Sequence, residues 1–156
     1  MRNVKVTVYV PVSGPSRPLF YGEPNPDDRC DDDTKERAHD KLLKQMVESF
    51  GGATVVPGIG CWVNEALASD SVCTDRLAVI TSWTTAFIYQ DNWLEHLAPA
   101  MLRYCKEAEQ VCVGFSVEQV GEGIDDILLS SYHRGFGLLY PEDKCKGGFR
   151  IQGMEG

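Results

Sequence analysis

The chain has 156 residues, 43% hydrophobic and 24% charged, which is the size and mix of one globular domain and excludes a disordered or fibrous chain. Fifteen Lys and Arg against 23 Asp and Glu leave a net charge of −8, which argues against direct nucleic-acid binding and against adhesion to an anionic membrane. No apolar run approaches the roughly 18 residues needed to span a bilayer, and Met1–Val6 alternates instead of forming a signal block, so the expected compartment is the cytoplasm.

Val4, Val6, Val8 and Val10 alternate with Asn3, Lys5, Thr7 and Tyr9, the period of a strand with one buried face, and Pro11 closes it. A proline-rich connection without periodicity follows, so residues 11–32 read as one long loop. A helix comes next, with Asp33 as cap, Glu36 closing a capping box, and an apolar face of His39, Leu42, Leu43, Met46, Val47 and Phe50. Gly51-Gly52 stops it.

Ala53–Val56 predicts a second strand, broken at Pro57-Gly58-Ile59-Gly60 and resumed at Cys61-Trp62-Val63, which suggests a bend or bulge. Arg76–Trp83 predicts a central third strand. A second helix is expected from about Asn92 to Glu109, capped by Asp91, with Leu94, Leu97, Ala98, Met101, Leu102, Cys105 and Ala108 inward and Pro99 as a kink or start. Val111, Val113, Phe115 and Val117 alternate as a fourth strand. In the tail, residues 124–131 suggest a short helix, and 137–140 and 149–152 suggest edge strands.

The order strand, helix, strand, strand, helix, strand predicts an α+β protein of ferredoxin-like βαββαβ type: a four-stranded antiparallel sheet with two helices on one face. Residues 1–120 would form that domain and 121–156 a C-terminal extension packed on it. The run Phe50-Gly51-Gly52-Ala53-Thr54, followed by Pro57, Gly60 and Trp62, resembles a pattern of small ferredoxin-like proteins of unknown function from bacteria and phages. That resemblance covers residues 1–120 and implies a fold but no chemistry.

No catalytic set assembles from spacing. The acidic run Asp27, Asp28, Asp31, Asp32 and Asp33 suits the positive end of a helix better than a metal, and lacks the ligand order of a calcium loop, so no metal or cofactor is expected. Pro57–Trp62 lacks the third glycine and the following helix of a dinucleotide loop. Six cysteines, without zinc-ligand spacing or a secretory signal, read as free thiols. Tyr9 is expected to share the open sheet face with Trp62 or Trp83, where aromatics stack a small molecule or a second copy. Tyr132, His133 and Arg134, in a polar segment ending at Gly135, form a candidate anion or acid–base loop. Ligand-binding candidates are therefore Trp62, Trp83, Tyr132, His133 and Arg134.

The favoured reading is a non-catalytic binding protein and homo-oligomer, engaging a protein partner or a small anionic metabolite, with a phage-type inhibitor or sequestering protein as one version. The alternatives are a metal-dependent phosphodiesterase or nuclease using His133 and carboxylates, and a structural subunit of a larger assembly.

Overall fold

The computed structural model describes residues 3–12, 22–24, 30–63, 72–120 and 135–154. Its elements are β1 (Val4–Pro11), β2 (Gly22–Pro24), α1 (Asp32–Phe50), β3 (Thr54–Val63), β4 (Val72–Thr84), α2 (Ala86–Asn92), α3 (Ala98–Glu107), β5 (Val113–Gln119), β6 (Gly135–Pro141) and β7 (Phe149–Gln152). A single π-helical stretch, Trp93–Leu97, joins α2 to α3.

The architecture is α+β, but it is not the four-stranded ferredoxin-like sheet expected from sequence. One seven-stranded sheet runs β4-β1-β5-β6-β7, with β3 on the far side of β4 and β2 parallel to the start of β4. The tail supplies β6 and β7: Val113 pairs with Leu139, and Leu139 with Ile151. The reason is burial. Leu139 is fully enclosed in the same core as Val113 and Phe115, so β5 gains an apolar neighbour where the four-stranded reading left a free edge.

Even-numbered residues of β1 and β4 face the helices. Val4, Val6, Val8, Val10, Ala78 and Ile80 are buried against Ala38, Leu42, Met46 and Phe50 of α1 and Met101 and Tyr104 of α3. The cap of α1 is Asp31 and not Asp33: its carboxylate accepts the Thr34 N–H at 2.8 Å and the Thr34 hydroxyl at 2.9 Å. The buried stripe accordingly begins at Lys35 and Ala38; the His39 side chain, 12% exposed, lies at its margin, and Val47 lies exposed. Gly51, at φ 87°, donates to the Val47 carbonyl at 2.8 Å and ends the helix in the left-handed conformation that glycine favours.

The second helical segment starts six residues earlier than expected. Thr85, not Asp91, caps it, its Oγ1 accepting the Ile88 N–H at 3.2 Å. Pro99 has no N–H for the carbonyl four residues back, and the ladder upstream widens, with Ala98 donating to Trp93. The extra residue rotates the stripe, so Trp93 is buried where Leu94 was expected, and Leu94 is 66% exposed. Trp93 stacks on Phe115 at 5.3 Å and meets the Phe149 ring edge-on at 6.1 Å, tying helix, β5 and β7 together.

β3 is also corrected. Thr54–Val63 pairs with β4 without interruption, Pro57 opposite Ala78, because among the described residues β4 is the only strand paired with it, and its free side tolerates a missing donor. Val111 lies outside β5, and Cys112 immediately precedes it.

Candidate binding surface

Opposite the helices, the odd residues of β1 and β4 and the even residues of β5 and β6 share one sheet face, in register as Tyr9 with Val79 and Gly114, and Gly114 with Leu138. Helices α1, α2 and α3 supply the core on the other side. This open face carries an apolar strip, with Lys5 and Glu118 paired beside Trp83 at one side of it. Val56, Trp83 and Phe136 are 52%, 43% and 53% exposed, and Tyr9, Leu77, Val79 and Leu138 are half-buried beside them.

Glycines shape its packing. The Phe136 ring crosses Gly114, 3.2 Å from where a Cβ would stand, and meets Tyr9 edge-on at 5.7 Å. On β3, Val79 and Leu77 come within 3.1 Å of the Cβ positions of Gly58 and Gly60. Each glycine makes room for a large side chain from a neighbouring strand. Thr7 and Thr81 approach Oγ to Oγ at 3.4 Å. Ser116, between Thr7 and Phe136 on this face, is buried, and its hydroxyl finds no partner among the described residues.

Tyr9 and Trp83 therefore share the open face as expected, with Trp83 paired to Lys5. Trp62 pairs with Cys73, ten residues along β4 from Trp83. At about 3.3 Å per strand residue the two positions are about 30 Å apart, too far for one small ligand to bridge. Tyr132, His133 and Arg134 lie outside the described residues.

Sequence reasoning missed two polar clusters. On the helix side, Lys35 is 1% exposed; burial lowers its pKa, and Asp75 opposes that shift. Nearby, the Tyr104 hydroxyl donates to the Pro11 carbonyl, and burial pushes its pKa up. A lysine at the first turn of an acidic-capped helix carries no sequence sign of burial. Toward the β7 edge, Arg150 lies 4.1 Å over the Tyr140 ring and pairs with Glu142 at 2.7 Å. Burial raises the Cys112 thiol pKa, while a hydrogen bond with Tyr140 and the Arg150 charge oppose the rise.

Cys30, Cys61, Cys105, Cys112 and Cys145 are free thiols, and among the described residues no three metal-ligating side chains cluster. No helix among them is long and apolar enough to cross a membrane.

No family model and no curated protein matches the chain. Two solved structures are similar to it. One is a phage SAM lyase in complex with S-methyl-5'-thioadenosine, 10% identical over 92% of this chain and 93% of that one, with a TM-score of 0.49. The other is a phage SAM lyase in the apo state, 8% identical over 78% and 86%, with a TM-score of 0.45. At that distance the similarity assigns neither a residue role nor an activity here.

Proposed function

We propose that the chain is a non-catalytic binding protein of the cytoplasm that engages a protein partner through the open face of its sheet, a second copy of itself being the first such partner. The observation behind this reading is the apolar strip of Val56, Val79, Tyr9, Phe136 and Leu138, with Trp83 at one end and no described helix upon it. Half-exposed side chains of this kind return about 1 kcal/mol each when an interface covers them, half the value for full burial. The net charge of −8 opposes self-association only weakly, because charges beyond about 8 Å are screened at physiological salt. A seated copy also removes the contiguous exposed apolar patch that soluble monomers rarely carry.

Native mass spectrometry and light scattering test this on wild type and on Val56→Glu and Phe136→Glu, two exposed positions where a charge does not disturb the core. The expected result is a multiple of the 17.3 kDa chain that both variants dissociate while keeping the wild-type circular dichroism. A wild-type monomer at about 50 µM, or an oligomer indifferent to both charges, overturns the reading.

A further inference from the structure

A cleft of about 460 Å³ opens between the C-terminal half of α3 and the β6–β7 connection, at the opposite side of the molecule from the open sheet face. That volume falls within the range of small-molecule sites. Its apolar lining is Leu102, Cys105 and Pro141; its polar lining is Lys106, Gln110 and Asp143.

The polar groups are arranged with opposite signs on opposite walls. Lys106 stands in the last turn of α3, and Asp143 in the hairpin turn. Neither forms an ion pair with a described residue, whereas the neighbouring carboxylate of Glu142 is held by Arg150 at 2.7 Å and that of Glu107 by Lys41 at 3.2 Å. The turn is fixed by its own backbone: Glu142 donates to Gly148, Cys145 to Glu142 and Gly148 to Cys145. Backbone acceptors at the end of α3 are already engaged, since Ala108 donates to Tyr104 and Gln110 to Cys105. The Gln110 side chain donates its N–H to the Ala108 carbonyl at 3.1 Å, which leaves its amide oxygen as an acceptor lining the cleft. Cys105 is 2% exposed at the base of the cleft, and burial pushes its thiol up to about 12, so the floor is uncharged.

We infer that this cleft binds a small zwitterion with an apolar body, of amino-acid size. Its carboxylate meets the Lys106 ammonium, its ammonium meets Asp143 and the Gln110 amide oxygen, and its apolar part lies on Leu102, Cys105 and Pro141. A purely anionic or purely cationic ligand leaves one wall uncompensated. Both charged groups are exposed, so each contact is modest, and losing one weakens binding on the order of fivefold.

The test is a titration followed by amide NMR, with L-phenylalanine, 3-phenylpropionate (no ammonium) and phenethylamine (no carboxylate) as probes. The expected result is saturable shifts at the Cys105, Lys106 and Gln110 amides with L-phenylalanine, and binding about fivefold weaker for each single-charge analogue. Leu102→Trp fills the cleft and abolishes the shifts. Asp143→Lys, at an exposed turn position that does not threaten the fold, reverses the preference, favouring 3-phenylpropionate over L-phenylalanine. No saturable shift by about 10 mM, equal binding of the three probes, or an unchanged preference in Asp143→Lys overturns the inference.

Discussion

Leu139→Ala decides whether the tail belongs to the core. Leu139 sits in β6, is fully buried, and pairs with Val113 on one side and Ile151 on the other. Truncating a fully enclosed leucine costs about 3–5 kcal/mol through lost transfer energy and an unfilled cavity. For a domain of this length each kcal/mol lowers Tm by about 2–4 °C, so the variant is expected to melt roughly 6–12 °C below wild type at the lower cost. Position matters more than the size of the shift. Because β6 continues the sheet through β5 to β1 and β4, the loss spreads through one cooperative unit. Protection against hydrogen exchange should then fall for the slowest amides of β1 and β4 as much as for those of β6. If β1 and β4 keep wild-type protection and only residues 135–152 exchange faster, the tail unfolds by itself and the single-sheet account is wrong.

Four further outcomes follow from named contacts. Thr85→Ala removes the oxygen that accepts the Ile88 N–H and should cost about 1 kcal/mol in urea denaturation; an unchanged midpoint removes Thr85 as the cap. Tyr104→Phe leaves the Pro11 carbonyl without its donor and should cost about 1–3 kcal/mol, measured the same way. In native thiol labelling, exposed Cys61 reacts before Cys105, whose thiol is buried and held neutral up to about 12; early modification of Cys105 contradicts its placement. The raised pKa values of Cys105, Tyr89 and Tyr104 also set an alkaline limit. Each group binds its proton more tightly folded than unfolded, so the Cys105 contribution is complete below about 9 and is lost as pH climbs towards about 12. Circular dichroism across that window should show cooperative unfolding that begins later in Cys105→Ala.

Where the sequence was legible, the reason was a single uncontested period. The alternating valines of β1 gave its buried face because Tyr9, Lys5 and Thr7 fall on the other side, and Gly51 gave the end of α1 because only a left-handed residue fits there. Boundaries failed where two local signals competed. Asp31, Asp32 and Asp33 are all capable caps, and the choice fell on Asp31, whose carboxylate reaches Thr34. The second helix was misplaced because Asp91 offers a capping carboxylate just before Asn92, whereas the cap used is Thr85, six residues earlier. Its face was misread because a 3.6-residue count carried back through Pro99 cannot anticipate a π turn, so Leu94 replaced Trp93 in the expected core. Residues 137–140 read as an edge strand in isolation; that the strand, Gly135–Pro141, joins the main sheet depends on Val113 and Leu139 meeting across a long separation.

The candidate surface was half legible for a related reason. The glycines of Pro57–Trp62 suggested a bend because local sequence shows only the missing side chains, not what occupies their space. In the sheet, the spaces at Gly58 and Gly60 belong to Val79 and Leu77, and the space at Gly114 belongs to Phe136. Three glycines at such close approaches, all on the face away from the helices, keep bulky groups close to the backbone plane and leave a low apolar surface. A Cβ at Gly114 would force the Phe136 ring outward. Gly114→Ala should therefore weaken face-to-face association while costing the fold about 1–3 kcal/mol through overpacking, read by light scattering beside urea denaturation. Association that survives while stability falls would show that Gly114 serves packing within the sheet alone.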